Sequence, residues 1–248
     1  MRIPKGTSTK KSRSRAQNAA MSLRLDWCSH AAAEYAVSHW HYSHSLPPPP
    51  HNRIGVWEGG AFIGVVLFAR GASPHLLRPF GLRMTEGCEL VRVALHHHTA
   101  PVSRIVTIAV RFLRQQSPGM RIIVSYADPN HGHTGGIYQA MGWTYLGMTA
   151  PTKEYISPDG KHWHSRMISA SGVRRVYGHA RRVLRPDQCA IFERSGKHRY
   201  ALPLDAAMRA QLVTLARPYP KRGRSAENGT AAPTAGAGIN SEPPAPTI

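Results

Sequence analysis

The sequence predicts a mixed α/β fold on three observations. Two apolar runs flank Glu58-Gly59-Gly60 in "RIGVWEGGAFIGVVLFAR", the pattern of a β-hairpin closed by a tight turn. The hydrophobic period then changes: Val102, Ile105, Val106, Ala109 and Leu113 of "TAPVSRIVTIAVRFLRQQSPG" share one helical face, while Arg104 and Arg111 point the other way. Directly after it, "RIIVSYAD" is a short continuous apolar run, as expected of a strand at the centre of a sheet.

The remaining elements follow in chain order. Residues 1–24 hold seven Lys or Arg, no acid and few apolar groups, and so read as a disordered basic arm. "WCSHAAAEYAVSHW" (27–40) is Ala-rich with Ser29 placed to cap it, which predicts a helix. Four prolines in "HYSHSLPPPPHN" forbid regular structure and predict a surface loop before the hairpin. "CELVRVAL" (88–95) is a third strand. Pro101 suits the start of the helix that follows, and Pro118-Gly119 stop it. "GGIYQAMGWTYLG" reads as a helical turn ending at Gly142 and an aromatic strand beginning at Trp143. "QCAIFERSGKHRYALPLD" holds two short strand-like runs about Ser195-Gly196, expected to form a small β-hairpin. From residue 225 the chain is small, Pro-rich and nearly uncharged, a second tail without a core. The expected division is an arm (1–24), a main domain (25–170), a small basic C-terminal appendage carrying the hairpin (171–224) and a tail (225–248).

Thirty-two Lys and Arg against thirteen Asp and Glu leave a net charge of +19. Such a field favours polyanions, nucleic acid foremost. A membrane surface is the weaker expectation, since no basic amphipathic helix stands out, and no apolar run is long enough to span a bilayer. With no secretory leader pattern either, a cytoplasmic location is expected. Cys28, Cys88 and Cys189 stand far apart without a CxxC spacing, which points to reduced, structural thiols.

Residues 160–186 contain no acid but carry Lys161, Arg166, Arg174, Arg175, Arg181, Arg182 and Arg185, a candidate set for phosphate contact. Asp128 ends the predicted central strand, where open α/β sheets present ligands; the competing reading is that it only caps the following turn. The histidines in "HHH" (96–98), His131, His133, His162 and His164 lack any HExxH or Cys-His spacing, so their number alone makes no metal site.

Two resemblances extend this reading. Strand, helix and strand followed by "IYQAMGW" resemble the closing half of the Gcn5-related acetyltransferase fold, a mixed central sheet with flanking helices. The resemblance implies that Tyr138 lies near the coenzyme thiol and protonates it as it leaves; the alternative is that Tyr138 packs its helix on the sheet. Members of that superfamily hold the coenzyme's pyrophosphate on a Gly-rich loop. Here the loop is "HHHTAPVSR", which has no glycine. Thr99, Ser103 and Arg104 at the helix start, with Arg92 of the preceding strand, are the candidate cofactor-binding groups.

"HYSHSLP", "IGVWEGGAFIGVVLFARGA", "CELVRVAL", "PVSRIVTIAVRFLRQQSPGMRIIVSYADPNHGHTGGIYQAMGWTYLG" and "EYI", collinear over roughly residues 39–168, resemble the Mom family of phage DNA-modification proteins. That resemblance implies a phage-type transferase, encoded by a phage or prophage. It would add a carbamoylmethyl group to the exocyclic amine of adenine in double-stranded DNA and so shield the DNA from restriction. The family's functional positions fall on His41, Tyr42, Ser103, Asp128 and Tyr138. It also implies iron held near His41, Tyr42 and Asp128, and a small-molecule group donor, acetyl-coenzyme A among the candidates. Tyr42 and Trp40 are candidates for stacking on an extruded base. The alternatives are a non-catalytic DNA-binding accessory protein and an ordinary N-acetyltransferase; oligomeric state is open, a dimer included.

Overall fold

The computed structural model describes residues 22–71, 73–176 and 178–220. The basic arm up to residue 21 and the expected C-terminal tail lie outside the described residues. Two compact units interleave along the chain, one made of residues up to Leu76 with Leu90–Met120, the other of Leu77–Glu89 with the chain from Arg121 onward.

The first unit is built on antiparallel strands β1 (Leu23–Trp27), β2 (His51–Glu58) and β3 (Ala61–Ala69), in that order, with β4 (Gly87–Leu95) next to β3. Leu23 and Arg24, expected to end the arm, begin β1 instead, paired with Glu58 and Trp57. The predicted hairpin turn is present, with Gly59 and Gly60 at φ 60° and 88°, a left-handed pair that glycine adopts without steric cost. Gly64 is fixed by a different demand: a Cβ there would come within 2.0 Å of the Ala94 carbonyl oxygen on β4. Helix α1 (His30–Trp40) starts where Ser29 Oγ accepts the Ala32 N–H at 3.1 Å, and it buries Ala32, Ala33, Ala36 and Val37 against Trp57, Val65 and Leu67. Helix α2 (Val102–Gln116) buries Ile105, Val106, Ala109, Val110 and Leu113, the face its period predicted. Phe112 meets Trp27 edge-on, with ring centres 5.1 Å apart.

In the second unit the start of β4 lies beside the start of β5 (Ile122–Ala127), where Arg121 N–H donates to the Glu86 carbonyl at 2.7 Å; the two strands therefore run parallel. Ile122, Ile123 and Val124 are fully buried, which explains their unbroken apolar run. Helix α3 (Gly136–Ala140) is followed by β6 (Thr144–Met148). Two small sheets come next: β7 (Thr152–Ile156) lies between β8 (His162–His164) and β11 (Ala190–Arg194), and β9 (Val173–Val176) pairs with β10 (His179–Arg182). Strand β12 (His198–Pro203) is inserted between β5 and β6, antiparallel to both, and α4 (Ala206–Leu215) closes the unit.

This corrects the expected hairpin about Ser195-Gly196. β11 and β12 do not pair with each other: β11 joins β7, and β12 joins β5 and β6. The reason is burial. His198, Tyr200, Ala201 and Pro203 are buried, and a two-stranded ribbon of its own would leave them in water. The expected appendage thus supplies an interior strand, between β5 and β6, and its real hairpin is β9–β10. Cys28 and Cys88 are buried free thiols and Cys189 is half-buried; burial pushes the Cys28 thiol up to about 11 despite the nearby Arg53. Among the described residues no helix is long and apolar enough to cross a membrane.

Candidate active site

Asp128 leaves the buried end of β5 and caps a 3-10 turn, Pro129–His131. Its Oδ1 accepts from Asn130 N–H at 3.0 Å and from Asn130 Nδ2 at 2.8 Å, while Oδ2 faces Lys197 Nζ at 3.0 Å. The side chain is only 3% exposed. Burial pulls its carboxyl up, but Asn130 and the Lys197 ammonium outweigh it and hold the group below the usual carboxylate range. At neutral pH Asp128 is therefore an ionised acceptor. Ser195 Oγ donates to Asn130 Oδ1 at 3.1 Å, so the turn after β5 and the segment before β12 form one polar cluster. Both readings of Asp128 meet here: it caps its turn, and it is a buried, oriented anion.

Tyr138 sits on α3, which starts after Gly135 at φ 84°, where a Cβ would come within 2.2 Å of the Tyr200 ring. Its phenol oxygen accepts from Ser125 Oγ at 2.7 Å, and its ring lies 5.1 Å from both Trp143 and Tyr200. With only 7% exposure the side chain packs the helix on the sheet, and its hydroxyl is tied to β5 three residues before Asp128. Beneath it Tyr200 donates to the Thr134 carbonyl at 2.6 Å, and Tyr145 Oη lies 2.9 Å from His198 Nδ1. Burial lowers the His198 imidazole and raises the Tyr145 and Tyr200 phenols, so this aromatic cluster is neutral.

The remaining residues expected of the catalytic, metal and cofactor sites belong to the first unit. His41 caps the end of α1; its Nδ1 accepts the Ser43 N–H at 3.1 Å and lies 2.8 Å from Ser43 Oγ. An acceptor at Nδ1 assigns the neutral ring's proton to Nε2. Tyr42 lies against His41, with centroids 4.3 Å apart, and is 45% exposed. Trp40 stacks on His96 at 5.1 Å and packs on Tyr35 and Phe62.

The loop before α2 holds a surprise for the expected anion cradle. Glu58, from the hairpin turn, accepts from Thr99 N–H and Thr99 Oγ1, each at 2.7 Å, and from Ala100 N–H at 2.9 Å. Burial works against its ionisation, but these three donors hold it below the usual carboxylate range. The Thr99 donors expected for a pyrophosphate are thus taken by the chain's own carboxylate. Ser103 is half-buried in the first turn of α2, Arg104 is exposed, and Arg92 on β4 donates to the Val91 carbonyl at 2.7 Å.

Lys161 lies over the Trp163 ring at 4.8 Å, Arg174, Arg175, Arg181 and Arg182 lie on β9 and β10, and Arg185 is gripped by Asp187 through two hydrogen bonds. Among the described residues no three His, Cys, Asp or Glu side chains gather as a metal site. Asp128, the only carboxylate in the expected iron set, already has an ammonium on one oxygen and amide donors on the other. As folded, this donor set does not fit a metal ion, because a cation would have to displace Lys197. Ser125, Asn130, Lys197 and Glu58 were not expected; only Ser125, a polar residue inside an apolar strand, carried a visible signal.

The model of the Mom protein family matches residues 22–221. The chain belongs to the Mom family. Across 209 residues, 80% of this chain and 84% of the relative, it is 26% identical to the methylcarbamoylase mom of Escherichia phage Mu. Among solved structures, an N-acyl amino acid synthase from uncultured soil microbes, FeeM, is 11% identical and aligns with 79% of this chain and 94% of its own, with a TM-score of 0.42. An aminoglycoside 6'-acetyltransferase type Ii is likewise 11% identical, aligning with 74% of this chain and 98% of its own at a TM-score of 0.40. Neither alignment bears on activity.

Proposed function

We propose that this Mom-family protein is a DNA-modifying transferase that attaches a small group, carbamoylmethyl by analogy with its relative, to the exocyclic amine of adenine in duplex DNA. Protection of that DNA from restriction is the expected consequence. The observation that carries the reading is membership of the Mom family over nearly all described residues, with a methylcarbamoylase as relative. The geometry of Asp128 supports it. An adenine amine is a poor nucleophile because its lone pair is shared with the ring, so orientation against the donor matters more than deprotonation. A carboxylate held ionised and fixed by Asn130 can orient such an amine, since it accepts an N–H without needing to store the proton. Access of an amine to Oδ2 requires the Lys197 ammonium, half exposed, to move aside. Three residues before Asp128, Ser125 on β5 donates to the Tyr138 hydroxyl and ties the aromatic cluster to that strand.

Glu58, which reaches from the end of β2 to the loop before α2, disfavours the ordinary N-acetyltransferase reading, since a coenzyme pyrophosphate there would have to displace a carboxylate. No step is assigned to iron, for the reason given by Lys197. The test is mass spectrometry of nucleosides from the DNA of cells expressing the protein. A modified deoxyadenosine is expected with the wild type and not with Asp128→Ala; unmodified DNA alongside folded, expressed wild-type protein overturns the proposal.

A further inference from the structure

The β9–β10 ribbon carries positive charge on both faces and no counter-charge. Across the ladder Arg174 faces Arg181 and Val176 faces His179, while Arg175 faces Ala180 and Val173 faces Arg182. Directly opposed residues share a face of a ribbon and successive residues alternate. One face therefore presents Arg174, Arg181 and His179, the other Arg175 and Arg182. The Cβ atoms of an opposed pair lie about 5 Å apart, so the Arg174–Arg181 pair is repulsive as it stands.

Several arginines elsewhere in the fold are ion-paired. Arg121 meets Asp205 at 2.7 Å, Arg194 meets Glu154 at 2.9 Å, Arg83 meets Glu86 at 3.2 Å, and Arg185, just past the ribbon, is held by Asp187. Among the described residues none of the four ribbon arginines makes an ion pair, and residues 160–186 contain no Asp or Glu to offer one. The base of the ribbon is nevertheless fixed: Val183 N–H donates to the Gly172 carbonyl at 2.9 Å, and Ser169 N–H to the Leu184 carbonyl at 3.1 Å. Arg175, Arg181 and Arg182 are exposed and Arg174 is half-buried.

We propose that this ribbon lies in the major groove of duplex DNA, with Arg174 and Arg181 turned to one phosphate wall and Arg175 and Arg182 to the other. A flat anionic surface such as a membrane would engage one face and leave the other pair unmatched. A groove walled by phosphates on both sides matches both, and the major groove is wide enough to admit a two-stranded ribbon. The exocyclic amine of adenine is displayed in that same groove. The inference rests on the duplex-DNA reading above and names the element that holds the duplex.

The test uses the full chain and a labelled 20-base-pair duplex, titrated over a range of salt. Combined Arg174→Ala, Arg175→Ala, Arg181→Ala and Arg182→Ala should weaken binding by about 100-fold or more and reduce the log–log salt slope by about 3 to 4, since each phosphate contact contributes roughly 0.9. A double variant, Arg175→Ala with Arg182→Ala, leaves the opposed pair untouched and should lose about half of that slope, which keeps the test valid should the fourfold variant fold poorly. Methyl green, a major-groove ligand, should compete with the protein, and netropsin, a minor-groove ligand, should not. Retained affinity and slope in both variants overturn the ribbon assignment, and competition by netropsin alone overturns the groove. Equal, ribbon-dependent binding to phosphatidylserine vesicles overturns the choice of DNA. If the wild type modifies no DNA yet binds duplex through the ribbon, the catalytic reading fails while this one stands.

Discussion

The loop before α2 and the β9–β10 ribbon are both placed to hold an anion, and the chain treats them in opposite ways. At the loop it supplies the anion itself: Glu58 accepts three hydrogen bonds from Thr99 and Ala100. At the ribbon it gathers four arginines and, among the described residues, pairs none of them with a carboxylate. Self-matched charge is scaffold, because removing either partner strands the other. Unmatched charge that a rigid ladder holds together is an invitation to a partner. Asp128 stands between the two cases, buried and ionised but matched by a lysine that is half exposed.

That intermediate position predicts the largest effect. Asp128→Ala should lower the yield of modified nucleoside by at least about 100-fold while the protein stays folded, as read by mass spectrometry beside a thermal melt. Activity within a few-fold of wild type would place Asp128 with the scaffold charges. Glu58→Gln should act the other way, leaving duplex affinity unchanged but destabilising the fold by about 1–2 kcal/mol, roughly 2–6 °C in melting temperature, because a charged acceptor of three hydrogen bonds is replaced by a neutral one. A Glu58 variant as stable as wild type would mean that its three donors are as well served by water.

Acidification separates the matched groups further. Asp128 and Glu58 have depressed folded pKa values, so they add stability above the unfolded carboxyl range, about 4, which is lost as pH falls through their lower folded values. His198 and His51 have the opposite chemistry: burial lowers both, so below about pH 6.5 the unfolded chain takes up protons that the folded one resists, and stability falls before any carboxylate titrates. Urea midpoints against pH should therefore show two steps, and His198→Asn should flatten the upper one. The smallest effect is expected at Arg185→Ala, where Asp187 already neutralises the charge: less than about twofold in duplex affinity, measured on the same titration as the ribbon variants.

Much of the fold was legible because it is local. The period of 102–113 set α2, Ser29 capped α1, and Glu58-Gly59-Gly60 closed the hairpin, each through contacts within a few residues. What failed was the pairing of distant strands. The runs on either side of Ser195-Gly196 have the alternation and spacing of a hairpin, and nothing in them says that β12 has a better berth between β5 and β6. The site divides along the same line. The position of Asp128 at the end of β5 could be read from the strand, but the Lys197 that holds it and the Glu58 that fills the Thr99 donors come from far along the chain and leave no local mark.

The place of β12 also bears on how the protein is made. Until residues 198–203 emerge from the ribosome, β5 and β6 each present an open edge where their partner will be. The sheet of the second unit can close only once β12 has been made, and β12 meets β5 across about 70 to 80 residues of chain, which slows closure and lengthens the time those edges stand exposed. A ribosome stalled before β12 would release a chain with its first hairpin formed and two sticky edges waiting, a natural client for chaperones.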